Sequence, residues 1–368
     1  MKKLALFVFT LILLMGCNQT KNEIIKIGAI LPLTGDAAAW GIPPKNGATL
    51  AVGQINAEGG IDGKKLKLFV EDAGCDPTMG VNAVNKLLTL NKPVAIVGAV
   101  CSGVTLAIAP IVEKNKVVLI SPASTQASIT DAGDYVFRDI PSDALRAKVF
   151  ARYIASLGYK TAVVIGINNK AGKGAEQYFA KYFEKDGGKI LDVEYYMPET
   201  NSVKTQLTKI RALKPDIILA LSQVKDAVIV LKNVKELNIK TPLFFQSEAL
   251  DDPSVIKNAG DAANGATYIT FAQNNSPKSK SFEEAYKKRF GTEPGQFAAE
   301  AYDAVFLIAD GLKKVGKVNS VNLHNELYAV KDYQGASGTI TFDKNGDVIK
   351  PFAIKKIVNG KINILTLK

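Results

Sequence analysis

From Ile24 onward the chain alternates strand-length apolar runs with longer amphipathic stretches, and this rhythm limits the possible folds more than any motif does. Ile25-Lys26-Ile27-Gly28-Ala29-Ile30-Leu31 reads as a strand that stops at Pro32. Residues 44–58 set Leu50, Val52, Ile55 and Ala57 at near-helical spacing before the breaker Gly59-Gly60. A strand over 66–70 and a helix over 77–90 repeat the unit. Such strand–helix–strand succession predicts a mostly parallel sheet with right-handed crossovers. After Pro141-Ser142 the rhythm restarts, with helices over 143–157, 174–186, 203–212 and 227–237. Strands over 161–167, 190–196, 216–221 and 241–245 alternate with them. A third section from about Phe271 offers helices over 279–290 and 296–315, then a hairpin-like run over 338–347.

The N-terminus reads differently. Lys2-Lys3 precedes an apolar run over 4–14 that ends in Leu14-Met15-Gly16-Cys17. About eleven apolar residues fall short of the roughly 20 that span a bilayer, so residues 1–16 read as an export signal. The Leu-x-Gly-Cys ending resembles the bacterial lipobox, in which the cysteine is lipidated. That makes Cys17 the anchor and 17–23 a polar tether; the alternative is ordinary signal cleavage. Removing 1–16 takes Lys2 and Lys3 from 46 basic residues, leaving 44 against 35 acidic ones, a charge of +9. The lysines are scattered without a basic block or interleaved aromatics. They imply a solvated basic surface and no nucleic-acid partner. Export also favours a disulfide between the two remaining cysteines, Cys75 and Cys101, each at a strand-end turn; two buried free thiols are the alternative.

Three segments carry the candidate chemistry: Val100-Cys101-Ser102-Gly103, Ser121-Pro122-Ala123-Ser124-Thr125 and Phe244-Phe245-Gln246-Ser247-Glu248. Each follows an apolar run, and ligands of open α/β sheets sit beyond the carboxyl ends of strands. Ser102 precedes a helix expected over 104–114, whose first amides and dipole favour an anion. Glu248 supplies the opposite charge. Together they suit a zwitterion. The competing readings are a helix cap for Ser102, a turn hydroxyl for Thr125 and a solvated loop acid for Glu248.

Catalytic signatures are weak. The single histidine, His324, lies in a helical stretch over 321–330, so a histidine-rich zinc site is excluded and a triad would depend on that residue alone. Gly172-Lys173-Gly174 is too short for a phosphate loop. No catalytic residue, metal or cofactor is expected.

A resemblance sharpens this reading. Ile27-Gly28-Ala29-Ile30-Leu31-Pro32-Leu33-Thr34-Gly35-Asp36 comes first, then Glu71-Asp72 ahead of Cys75-Asp76-Pro77. Ser121-Pro122-Ala123, Tyr135-Val136-Phe137-Arg138 and Ala301-Tyr302-Asp303-Ala304 follow in order. Together they resemble the periplasmic leucine/isoleucine/valine-binding proteins, receptor components of branched-chain amino acid ABC transporters. The resemblance implies an α/β fold of two doubly wound lobes joined by three crossovers, with a ligand cleft closed by hinge motion. The first lobe then comprises 24–141 and 271–350, the second 142–270 and 351–368. It also implies a Cys75–Cys101 bridge.

By position, the resemblance gives Ser102 and Thr125 the ligand's polar groups, with help from the Ala123 backbone. Glu248 takes the ammonium, and Trp40, Val100, Cys101 and Phe297 line the side-chain pocket. Where the family commonly has aromatic rings, this chain has Ala171 and Gln223, which implies a wider, more polar pocket. An unpartnered buried amide at Gln223 would cost roughly 1–3 kcal/mol, which calls for water or a polar ligand group there and leaves the ligand open to a small, polar or different amino acid, or an amide-type ligand, rather than strictly leucine. The implied protein is a lipid-anchored, monomeric amino acid receptor serving an ABC permease. The rivals are a sensory receptor of the same fold, for amino acids or small amides, and a secreted enzyme.

Overall fold

The computed structural model describes residues 24–35 and 37–365, so Cys17, the tether and the export signal lie outside the described residues. The first sheet comprises β1 (Ile25–Leu31), β2 (Leu66–Asp72), β3 (Ala95–Gly98), β4 (Val118–Ser121) and β5 (Val136–Arg138). All its pairings are parallel, in the order β2-β1-β3-β4-β5. Its connecting helices are α1 (Ala38–Ala57), α2 (Pro77–Lys86) and α3 (Ser102–Asn115). Strands β1, β3 and β4 are almost wholly buried, as expected of a sheet covered on both faces by crossover helices.

The second half repeats the plan. Helix α4 (Asp143–Ser156) leads to β6 (Thr161–Ile167), α5 (Lys170–Lys185) and β7 (Lys189–Tyr196). Then come α6 (Lys204–Leu213), β8 (Ile217–Leu221), α7 (Val224–Glu236), β9 (Leu243–Phe245), α8 (Pro253–Ala259) and β10 (Thr267–Phe271). The parallel part runs β10-β9-β8-β6-β7, the same order as the first sheet. After β10 come α9 (Pro277–Phe290), α10 (Ala298–Val315), α11 (Ser320–Tyr328) and the small pair β11 (Tyr333–Gln334) and β12 (Thr339–Ile340). Strands β13 (Phe352–Val358) and β14 (Lys361–Leu365) close the second sheet in antiparallel fashion.

Burial shows which half each segment joins. Phe282, Tyr286, Ala301, Val305, Ile308 and Val348 share a core with Ile25, Ile27 and Val97 of the first sheet. Phe352 and Ile354 pack instead with Phe150, Val164 and Phe244 of the second. The chain therefore passes between the two sheets after β5, after β10 and before β13. Helices α1 and α10 meet at Gly47, where a Cβ would sit 2.0 Å from the Ala298 carbonyl oxygen.

Several local expectations shift. Helix α1 begins at Ala38 rather than residue 44 and carries Pro43 and Pro44 within it. The expected helix over 77–90 ends at Lys86 and continues as a wider π turn over Leu87–Asn91. The hairpin forms earlier than expected, with Tyr333 opposite Ile340, while Phe342 bridges Val348 beyond it.

Candidate functional site

On the first sheet the sequence candidates converge through a web of small hydroxyls. The Ser121 hydroxyl donates to the Ala99 carbonyl at 2.7 Å, and that of Ser124 lies 3.0 Å from Ala99 O and 3.2 Å from Val100 O. Thr105 on α3 contacts the Ser124 hydroxyl at 2.7 Å. These buried bonds pin the turn after β3 to the loop after β4. They also satisfy backbone carbonyls that burial would otherwise leave orphaned. Val100 and Ala123 then pack with Ala29 and Leu31, and Cys101 and Phe297 lean on the same cluster.

Ser102 is the first residue of α3, but it does not cap the helix. The cap position is Cys101, without a side-chain bond, and the Ser102 hydroxyl accepts the Gln126 N–H at 3.3 Å. Cys75 and Cys101 are joined in a disulfide with Cα atoms 5.5 Å apart. Burial pushes the Asp72 carboxyl up. Bonds from the Thr34 hydroxyl and the Leu33 and Gly74 N–H groups outweigh that and hold it below its ordinary range. The same bonds fix the loop after β1. Phe297 precedes α10 with φ at +65°, a left-handed conformation uncommon for a bulky residue. Trp40 projects from α1 and stays half exposed.

Arg138, fully buried on β5, braces the Thr125 loop from behind. Its Nη1 donates to the Gln126 carbonyl at 2.9 Å, and its Nε and Nη2 engage both Asp347 carboxylate oxygens at 2.5 and 2.7 Å. Thr125 itself reaches the second half of the chain. Its hydroxyl donates to Asp143 Oδ2 at 3.0 Å, and its carbonyl accepts the Asp143 N–H at 2.8 Å.

One turn further along α4, Arg146 Nη1 donates to Glu248 Oε2 at 2.7 Å. Glu248 opens a short 3-10 turn after β9, and its side chain is 39% exposed. It is therefore an ion-paired acid rather than a free loop acid. Gln223 departs from expectation. It is exposed at the cap position ahead of α7, so the supposed buried amide is not there. The buried unpartnered amide belongs to Gln246, whose Oε1 has no hydrogen-bond partner. Ala171 lies on the first turn of α5, and its side chain is outside the described set.

Between the three interlobe passes lies a cavity of about 180 Å³, bordered by Asp139, Phe271, Asn274, Glu300, Ser337 and Lys350. Lys350 Nζ lies 2.5 Å from Asp139 Oδ1 and donates to the Asp139 carbonyl and the Ser337 hydroxyl. Ser337 in turn contacts Asp303 Oδ2 at 2.5 Å. Burial pushes the Asp139 carboxyl up to about 8, against the pull of Lys350, and pushes Glu300 and Asp303 up as well.

Sequence reasoning gave no role to Arg146, Asp143 or this acidic hinge cluster, nor to Arg138 and Gln246, which lie within segments it had singled out. Arg138 and Arg146 are charged residues on mainly apolar buried faces, and that was the available signal. His324 stacks on Tyr135 at 4.3 Å within an aromatic group. Among the described residues, no His, Cys, Asp or Glu cluster is arranged to hold a metal ion.

Two doubly wound α/β lobes, with loops from both gathered at the carboxyl ends of their sheets around a three-pass hinge, define a bilobal solute-binding protein of periplasmic type I architecture. The chain belongs to the periplasmic binding protein family, whose family model matches residues 24–361. It is 30% identical over 347 residues to a Leu/Ile/Val-binding protein homolog of Brucella melitensis, covering 92% of each chain. It is 28% identical over 330 residues to the leucine-, isoleucine-, valine-, threonine- and alanine-binding protein of Pseudomonas aeruginosa, covering 89% of this chain and 87% of that one. Among solved structures it is similar to a branched-chain amino acid transporter substrate-binding protein from Streptococcus pneumoniae in complex with isoleucine. That likeness has a TM-score of 0.76, 29% identity and coverage of 93% and 99%. The family is one of solute-binding proteins rather than enzymes, and its members work outside the cytoplasm.

Proposed function

We propose that this protein is an extracytoplasmic receptor, lipid-anchored through Cys17, that captures an amino acid between its lobes and delivers it to an ABC permease. The observation that carries this reading is the clustering of Val100, Cys101, Ala123 and Phe297 beside Ser102 at the head of α3. A carboxylate is favoured there by the helix amides and dipole. Glu248 is the acceptor for the ligand's ammonium, and its bond to Arg146 leaves the second carboxylate oxygen for that role. Because the two charges of a zwitterion then engage different lobes, binding favours the closed form. The names of the relatives support an amino acid as the solute.

Calorimetry of the protein with the twenty amino acids tests the reading, with at least one expected to bind. Glu248→Gln keeps the shape and removes the charge, and should weaken that ligand tenfold or more. Unchanged affinity would show that the ammonium does not meet Glu248. Intact-mass measurement on protein from its native host should find a diacylglyceryl group on Cys17; its absence would remove the anchor.

A further inference from the structure

The proposed receptor carries an orphaned donor and an orphaned acceptor on the second lobe, and together they specify a ligand chemistry. Arg146 is 6% exposed, yet its Nε has no hydrogen-bond partner. Gln246 is 5% exposed, and its Oε1 likewise has none. Both lie beside Glu248: Arg146 bonds it, and Gln246 precedes it by two residues. Side chains alternate across a strand, and Phe244 packs on Phe150 of α4 while Phe245 belongs to the opposite core. The Gln246 N–H continues the parallel ladder by donating to the Ala220 carbonyl, and the same alternation, carried one residue past β9, assigns its side chain to the Phe244 face. Arg146 sits one turn before Phe150 on α4 and lies over the same edge. The Arg146–Gln246 pair is thus the next layer after Phe150–Phe244, toward the carboxyl end of the sheet.

That layer adjoins the candidate site on three sides. Arg146 bonds Glu248, the acid assigned to the ammonium. Asp143, three residues before it on the same helix face, bonds Thr125 of the first lobe. The Arg146 guanidinium lies 4.6 Å over the Phe271 ring, which borders the hinge cavity.

We infer that Arg146 and Gln246 read the ligand's side chain, and that this side chain is a primary carboxamide, as in glutamine or asparagine. Its carbonyl accepts from Arg146 Nε and its amino group donates to Gln246 Oε1. An aliphatic side chain leaves both protein groups buried and unpaired, a strong basis for rejection. A ligand carboxylate would find the Arg146 charge already matched by Glu248.

This inference rests on the amino acid receptor reading, and calorimetry with L-glutamine, L-asparagine, L-glutamate and L-leucine separates the two. The expected result is glutamine or asparagine binding at least tenfold tighter than leucine and glutamate. Gln246→Leu and Arg146→Lys, which keeps the charge beside Glu248, should each lower the carboxamide-to-leucine affinity ratio tenfold or more. Binding of leucine or glutamate above both carboxamides overturns the inference and leaves the receptor reading intact, as does an unmoved ratio in both variants. Failure of every amino acid to bind overturns the receptor reading and this inference with it.

Discussion

Replacing Asp347 by asparagine would remove the counter-charge of a guanidinium that has no water to fall back on. Arg138 is 0% exposed and Asp347 only 13%, with two N–H···O contacts at 2.5 and 2.7 Å. Asp347 also accepts the Thr130 hydroxyl at 2.7 Å. Breaking a buried pair by removing one partner costs about 3–5 kcal/mol. The slight exposure of Asp347 argues for the lower end, about 3 kcal/mol, more than a hundredfold in the unfolding equilibrium. Trp40, the only tryptophan, sits on the first lobe, so its fluorescence during urea unfolding reports that lobe directly.

The double variant Arg138→Met with Asp347→Leu separates stability from function. Apolar replacement of both partners is often neutral or stabilising, so the transition should return close to the parent. The carbonyl of Gln126 nevertheless loses its donor. The Thr125 loop is then unbraced, and ligand affinity should stay below the parent's. A loss below 1 kcal/mol in Asp347→Asn, the size of an exposed pair, would refute the buried-brace argument. So would a double variant no more stable than the single.

Two further outcomes follow from other parts of the molecule. Replacing Cys75 and Cys101 together by serine opens a loop with a sequence separation of 26; the chain-entropy relation puts the loss at roughly 3 kcal/mol, read as a lower urea midpoint without reductant, and an unchanged midpoint would refute it. Asp139, Asp303 and Glu300 all have folded-state pKa values raised by burial, Asp139 to about 8. The folded chain therefore keeps protons that the unfolded chain has released above about pH 4. Their contribution to stability is full below that pH and is lost as pH rises, for Asp139 as it climbs toward about 8. Asp139→Asn should flatten the decline in unfolding free energy across that window, and an identical slope in parent and variant would contradict the assignment.

The alternation of apolar runs from Ile25 to Phe271 was enough to specify parallel strands and covering helices, because a strand buried on both faces must be apolar throughout. The turn placement of Cys75 and Cys101 likewise belonged to local sequence. The candidate site was legible where it follows strand ends, as at Val100, Ser102, Ala123 and Glu248. Strand-end position is a consequence of chain direction, which the sequence carries.

Pairing between distant segments was not legible. Arg138 meets Asp347 across 209 positions and Arg146 meets Glu248 across 102; the apolar setting marks each arginine, but nothing local says which acid it meets. Gln223 and Gln246 show the same limit from the other side. Both are glutamines at the start of a loop after a strand; the exposed one was assigned to the pocket, while the buried one sat without a role inside a candidate segment. The sequence by itself determined the elements, their order and their apolar faces, since these depend on residues within one turn or one strand of each other. Only the tertiary structure decided which charges are neutralised and which polar groups are stranded. Burial and partner distance arise when the two sheets, the returning α10 and the three hinge passes come together.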